Sequence, residues 1–436
     1  MSKNVVYLTI MLAATLFSGS LSAAILMVPA DYATIQSAID AASPGDTVII
    51  GKNNLPNFYN LPYFEQLVVN KRIALIGAGG IVGGLKSGDV ILITAGNCLI
   101  KKLKIYGSGN SQPAIGTWDA GIKIKYADSC IIDSCRFLAN AAGLVIEGSN
   151  YTQITHNMII NNQAGIYFYS GQDGYGQIHN STGNYVFDND IIYNHVSGIM
   201  LAQGDGLHQN NVIQNNYFVY NMQGLSMRSA QDNDITGNCF NWCIQYAIYE
   251  FEGYSEGGSN QIRLNTFINN YNGNVHSFCF LAETQPSDLW SENFWSDYDG
   301  EDNNSDGYGD TPYILDGGSC EDILPLMAAP DFDQDAIPDD FDNCPDVVNT
   351  NQNDWDSDGI GNACEFLCGD ADYSRSVNIL DVTFIINFLY RDGPPPIIDG
   401  IADVNDNGAT NILDIVYLIA YFYKGGPDTN CPLYHH

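Results

Sequence analysis

Two stretches near the C-terminus, GDADYSRSVNILDV and ADVNDNGATNILDI, place oxygen-bearing residues at matching intervals, their leading acids Asp370 and Asp403 lying 33 positions apart. With the leading acid as position 1, oxygens fall at positions 1, 3, 5, 7, 9 and 12. The first set is Asp370, Asp372, Ser374, the Ser376 carbonyl, Asn378 and Asp381. The second is Asp403, Asn405, Asn407, the Ala409 carbonyl, Asn411 and Asp414. Such a loop wraps a hard cation that takes only oxygen, which points to Ca2+. Gly408 stands at the sharp sixth position of the second loop, whereas Arg375 strains that turn in the first. Each loop runs into an apolar stretch, VTFIINFLY or IVYLIAYFY, read as a helix that buries one face.

Oxygen-rich loops recur upstream. One starts at Asp331 with Asp333, Asp335, the Ile337 carbonyl, Asp339 and Asp342. Another starts at Asp354 with Asp356, Asp358, the Ile360 carbonyl, Asn362 and Glu365. A less complete one holds Asp302, Asn304, Asp306 and Asp310 around Gly307, with Tyr313 where a twelfth-position acid would sit. From Ser291 onward there are 30 acidic side chains against 3 basic ones, so most of the −34 net charge lies in the last third. That argues against nucleic acid or an anionic membrane as partner. Two carboxylates about 4 Å apart repel by roughly 4 kcal/mol at an effective dielectric of 20. Clustered acids therefore either stay apart as a solvated linker or converge on a cation, and the in-register spacing favours the cation.

The duplicated loop and helix, with Asp at position 12, resembles a type I dockerin, a small α-helical, EF-hand-like domain. The resemblance implies two bound calcium ions and a cohesin partner on a scaffold or cell surface. It also implies recognition through positions 10 and 11 of each loop, here Ile379–Leu380 and Ile412–Leu413, apolar where many dockerins carry hydroxyls. The identical NILD in both halves implies binding in two orientations. Cys368 and Cys431 bracket this domain and are expected to pair. The stretch 331–365 resembles thrombospondin type-3 repeats, departing from them at Ala336 and Asn362; a Cys344–Cys364 disulfide is expected there.

Residues 97 to 275 repeat a phrase: ITHNMI, VFDNDI, IQNNYF, ITGNCF and IRLNTF. Its fourth position is Asn157, Asn189, Asn216, Asn238 and Asn265, preceded by Cys135 and Leu103. A second phrase follows each: GLVIEG, GIYFYS, GIMLAQ, GLSMRS and AIYEFE. Short strands with a unit of about 22 residues predict one solenoid coil per repeat. The stretch resembles the right-handed parallel β-helix of pectate-lyase-like proteins, with NosD-type repeats. The Asn column is expected to bond amide to amide. ATIQSAIDAA predicts a short helix covering the open N-terminal end, with Ile35 and Ile39 on one face.

Outward positions of the second phrase form two predicted rows: Lys123, Val145, Tyr167, Met200, Ser226 and Tyr249, then Lys125, Glu147, Tyr169, Ala202 and Arg228. Aromatic rows suit sugar rings and charges suit uronic sugars, so Tyr167, Tyr169, Tyr249 and His208 are candidate polysaccharide contacts. For a lyase, Lys125 or Arg228 is the candidate base. For a hydrolase, Glu147, Asp173 and Asp205 are candidate acids and bases. The plain alternative is ordinary exposed residues on a solenoid. The NosD resemblance adds copper handling through His156, His179, His195, His208 and His276 with Met158, Met200, Met222 and Met227. Cys98 and Cys130 share a column of neighbouring coils and are read as buried thiols, with a disulfide as the other option.

The N-terminal MSKNVVYLTIMLAATLFSGSLSAA reads as a secretory signal peptide, residues 1–23, implying a secreted chain. The expected plan is mainly β: a right-handed parallel β-helix over 24–330, thrombospondin type-3 calcium repeats over 331–366 and a dockerin-like domain over 367–436. The expected role is extracellular polysaccharide binding or degradation, the alternative being a non-catalytic surface adhesin.

Overall fold

The structure, a computed structural model, describes residues 23–55, 58–109, 118–172, 175, 177–202, 206–250, 258–271, 273–276, 288–316 and 320–329. In the C-terminal part it describes 337, 342–344, 352, 361, 368–371, 377–391, 396, 400–405, 407–424, 426, 429 and 431. The expected signal peptide lies outside these residues. The chain divides into two compact units, 1–328 and 329–436.

In the first unit, three parallel sheets of 11, 10 and 9 strands run the length of a solenoid, each complete coil giving one strand to each sheet. Strands of three to six residues alternate inward and outward. Ile122 and Ile124 pair with Leu144 and Ile146, which pair with Ile166 and Phe168, and all six are fully buried. The interior ends in a stack of rings. Phe218, Phe240, Phe267, Trp295 and Tyr313 follow one another at 4.5, 5.2, 4.3 and 4.2 Å between centroids. Identical or similar rings from successive coils gain both burial and offset stacking.

The corners explain the repeated phrase. One residue with positive φ turns the chain just before each ladder Asn, as at His156 (54°), Asp188 (54°) and Asn215 (53°). The Asn then closes the corner. Asn157 Nδ2 donates to Asn189 Oδ1 at 2.9 Å, and the chain of amides continues through Asn216, Asn238, Asn265 and Asn293 to Asp322. The glycine opening the second phrase is set by proximity. A Cβ on Gly143 would lie 2.7 Å from the Gly165 carbonyl, and one on Gly165 would lie 2.3 Å from that of Gly198.

The helix Ile35–Ala41 covers the N-terminal end as expected, with Ile35 and Ile39 fully buried. Its first amides, Ile35 N and Gln36 N, donate to the Glu65 carboxylate at 2.9 and 3.0 Å. In the second unit the helices Ile379–Tyr390 and Ile412–Lys424 share a core of Val382, Ile385, Ile415 and Leu418 with Ile401, Ala402 and Val404. Cys368 and Cys431 form the expected disulfide beside it. No helix among the described residues is long and apolar enough to cross a membrane.

Candidate functional site

The strands Ala120–Lys125, Ala142–Glu147 and Ala164–Tyr169 build one lateral face of the solenoid. Their register pairs Lys123 with Val145 and Tyr167, and Lys125 with Glu147 and Tyr169, so both predicted rows are real columns. The first row continues through Met200, Ser226 and Tyr249.

The face is more covered than the expectation of ordinary exposed residues allows. Val145, Ser226, Ala202, Lys123, Tyr167 and Glu147 are all buried. Trp118 stacks on Tyr167 at 6.1 Å, and Tyr167 on Tyr169 at 6.2 Å. Trp118 lies outside the repeated phrases, so a repeat pattern does not reveal that it packs on this face. Lys125 and Tyr169 are the half-exposed members nearest the centre, with Arg228 and Tyr249 further along.

Buried charge on this face is paired. Lys123 Nζ lies 3.0 Å from Asp89 Oδ1, and Lys125 Nζ 2.7 Å from Glu147 Oε1. Lys125 also sits 5.3 Å from the Tyr126 ring, against which His179 packs at 4.6 Å. Burial alone would lower the Lys125 pKa, but the hydrogen bond and charge of Glu147, with Tyr126 and Asp89, raise it overall. Lys125 is thus held as a cation, the opposite of what a lysine base requires. Burial raises the Asp89 carboxyl despite the Lys123 charge. It also pushes the Tyr167 phenol up to about 12.

His208 is corrected as a sugar contact. Its ring is fully buried, Nε2 lies 2.8 Å from the Ala202 carbonyl, and Nδ1 has no hydrogen-bond partner among the described residues. Burial lowers its pKa to about 4, so it is neutral. Tyr249 packs between Tyr246 and His276, at 5.4 and 5.2 Å. Asp173 and Asp205 lie outside the described residues.

The histidines of the copper reading are dispersed. His156 bridges Asp133 and Asp188 at 3.0 and 3.3 Å, His195 Nε2 meets Asn161 Oδ1 at 2.8 Å, and His208 is interior. Among the described residues no group of three or more His, Cys, Asp or Glu side chains is arranged to hold a metal ion.

Sequence reading found one Asn ladder; the described residues form three. Asn184, Asn211, Asn233 and Asn260 run to Asp288. Asn140, Asn162, Asn194 and Asn221 form the other. The signal was present as a recurring five-residue interval: Asn184 and Asn194 flank Asn189, and Asn211 and Asn221 flank Asn216.

In the C-terminal unit, Asp403 Oδ1 and Oδ2 accept from Asn407 N and Gly408 N at 3.1 and 2.8 Å, drawing the loop around a carboxylate. Gly408 adopts φ 88° there. Asn411 N donates to Asp414 Oδ2 at 2.8 Å, as Asn378 N does to Asp381 Oδ2 at 2.7 Å, so the two halves cap their helices alike. Asp370, Asp381, Asp403 and Asp414 are all buried. Burial first, then the Asp403 charge, pushes the Asp414 carboxyl above the usual range. Buried acids that repel one another are the donor set a calcium ion fits. Asp372, Ser374 and Ser376 lie outside the described residues. At the loop from Asp302, its carboxylate accepts from Ser305, Asp306 and Gly307 amides, and Asn304 Oδ1 from Asp306 N. Asp310 accepts from Asn303 instead.

Of the stretch 331–366, the described residues are Ile337, Asp342, Asn343, Cys344, Gln352 and Gly361. Asp342 Oδ1 accepts from Cys344 N and Gln352 Nε2 at 2.8 and 2.7 Å. Cys344 is disulfide-bonded. The remaining expected ligands there, Asp331, Asp333, Asp335, Asp339, Asp354, Asp356, Asp358, Ile360, Asn362 and Glu365, and the expected partner Cys364, lie outside the described residues.

Comparison with known proteins agrees with this architecture. Residues 90–267 match the family model of the right handed beta helix region, and residues 368–423 that of the dockerin type I domain. The fold is thus a mainly β right-handed parallel solenoid with a C-terminal dockerin domain. No curated protein matches the chain. An alginate lyase from a Paenibacillus species is similar at 15% identity over 58% of this chain and 98% of its own, with a TM-score of 0.41. A family 28 exopolygalacturonase of Yersinia enterocolitica is similar at 13% identity over 63% and 71%, with a TM-score of 0.45. PfbA, a surface adhesin of Streptococcus pneumoniae, is similar at 14% identity over 63% and 84%, with a TM-score of 0.42. Scores this low carry no argument for an activity.

Proposed function

We propose that this is a secreted protein whose solenoid binds extracellular polysaccharide and whose dockerin domain attaches it, in a calcium-dependent way, to a cohesin module on a scaffold or cell surface. The observation that carries the glycan reading is the lateral face, where a fixed cation, a carboxylate and stacked rings share columns on adjacent coils. Lys125 and Tyr169 offer an anionic sugar a charge and a ring at once. The raised Lys125 pKa favours binding or neutralising a uronic carboxylate over removing a proton.

Attachment is supported by the dockerin match and by the apolar pairs at loop positions 10 and 11. Ile379 and Leu380 are 43% and 58% exposed, and Ile412 and Leu413 are 49% and 58% exposed. Such near-equal pairs on the two halves fit docking in either orientation. The calcium ligands are the loop oxygens of the two dockerin halves. Further ions are assigned to the thrombospondin-type loops and to the loop from Asp302.

Degradation is the second reading, with Glu147, Asp173 and Asp205 as the acid or base groups of a hydrolase, or Arg228 as the base of a lyase. Incubation with a polysaccharide panel, with and without calcium, separates the readings. New reducing ends or unsaturated uronic products favour an enzyme. Retention without turnover favours a binder, including a surface adhesin. If no glycan in the panel is either retained or turned over, the polysaccharide proposal is contradicted.

A further inference from the structure

Two thiols in the early coils belong neither to the lateral face nor to the dockerin domain. Cys98 and Cys130 stand one residue before the strands Leu99–Lys101 and Ile131–Asp133, which pair with Leu99 beside Ile131. Ile131 N donates to the Cys98 carbonyl at 2.8 Å, so the two cysteines share one column of neighbouring coils. Paired strands lie about 4.8 Å apart, within the roughly 4.4–6.8 Å that a disulfide spans between Cα atoms.

Both side chains point into the solenoid, 1% and 0% exposed. Their sulfurs converge on one acceptor: Cys98 Sγ is 3.1 Å and Cys130 Sγ 3.6 Å from the Ala95 carbonyl oxygen. The neighbouring Cys130 thiol lowers Cys98 to about 7, and the Cys98 thiol together with burial raises Cys130. Along the same column, later coils are tied together by Asn184, Asn211, Asn233 and Asn260. The two cysteine positions have no amide for that purpose. Elsewhere this chain bonds Cys368 to Cys431 and places Cys320 and Cys344 in disulfides, while Cys98 and Cys130 stand as separate thiols.

We propose that Cys98 and Cys130 are an oxidation site that closes to an inter-coil disulfide, turning the coil that carries Trp118, Lys123 and Lys125 into a covalent ring. The oxidant is a small disulfide such as oxidised glutathione, met before the coil is sealed. The thiolate of one cysteine attacks it and releases one glutathione thiolate. The thiolate of the other then displaces the second glutathione from the mixed disulfide. Two S–H bonds and one S–S bond are lost; one S–S bond and, on the glutathione, two S–H bonds form. The cysteines give up two electrons and the oxidant takes them.

The test is peptide mapping of the full chain, reduced in denaturant, refolded with oxidised and reduced glutathione, then alkylated in denaturant without further reduction. Trypsin releases Cys98 in 87–101 and Cys130, with Cys135, in 126–136. The expected product is these two peptides cross-linked through Cys98 and Cys130, two hydrogens lighter than their sum, with Cys135 alkylated. The Cys368–Cys431 link in the same digest shows that oxidation proceeded. Alkylated Cys98 and Cys130 in a digest that contains that link would overturn the proposal. A link from either thiol to Cys135 would do so as well.

Discussion

Lys125 Nζ and Glu147 Oε1 lie 2.7 Å apart on register partners of adjacent coils, with the carboxylate buried and the ammonium half-exposed. The pair ties a half-exposed cation of the lateral face to a buried acid.

Replacing Lys125 with Met removes that ammonium from beside the buried Glu147 carboxylate. We expect a loss of about 1–2 kcal/mol, discounted from a fully buried pair because the lysine is partly solvated. Urea midpoints of Lys125→Met and of Lys125→Met/Glu147→Gln check this, the double variant recovering part of the loss. Because the folded pKa of Lys125 is raised, its stabilisation is complete below the unfolded value of about 10.4 and fades as pH climbs past it. The difference between wild type and Lys125→Met should therefore be flat through neutrality and shrink above that pH. Tyr169→Ala should keep stability and weaken retention on the glycan that the panel identifies.

His208 should make the solenoid acid-sensitive. Its folded pKa of about 4 lies below the usual imidazole value of about 6.5. The unfolded chain takes up a proton that the folded one refuses, so stability falls as pH drops from about 6.5 to about 4, by roughly 2–3 kcal/mol. His208→Gln, which retains a donor for the Ala202 carbonyl, should flatten that slope. Urea midpoints at pH 7 and pH 4.5 measure it.

The Asn ladders should be costly to interrupt in the middle. Asn216 Oδ1 accepts from Asn189 N and Nδ2, and its own amide donates to the Val186 carbonyl and to Asn238 Oδ1. Asn216→Ala orphans several fully buried groups, and we expect a loss of roughly 2–4 kcal/mol. Asn270→Ala, at a half-buried position, should cost less because water replaces the amide there. Chemical denaturation of the two variants side by side tests the ranking.

Much of this fold was legible because solenoid constraints repeat. Asn157 to Asn265 marked one corner, the phrase glycines marked backbone contact, and the two outward rows fell in true register. Three things were not legible. The flanking ladders hide among other Asn residues unless a fixed five-residue interval is sought. The burial of Tyr167 comes in part from Trp118, a residue outside the repeated phrases that stacks on it, which no coil-to-coil periodicity encodes. The burial of His208 was hidden because its strand, His208–Gln209, belongs to a small accessory sheet with no counterpart among the described residues of the early coils.

The most direct test of the account is amide hydrogen exchange of the full chain in calcium and after chelation. We expect chelation to abolish protection in peptides spanning 379–390 and 412–424 while the solenoid strands keep theirs, and calcium to restore it. Unchanged protection of both helices without the ion would contradict calcium-dependent attachment.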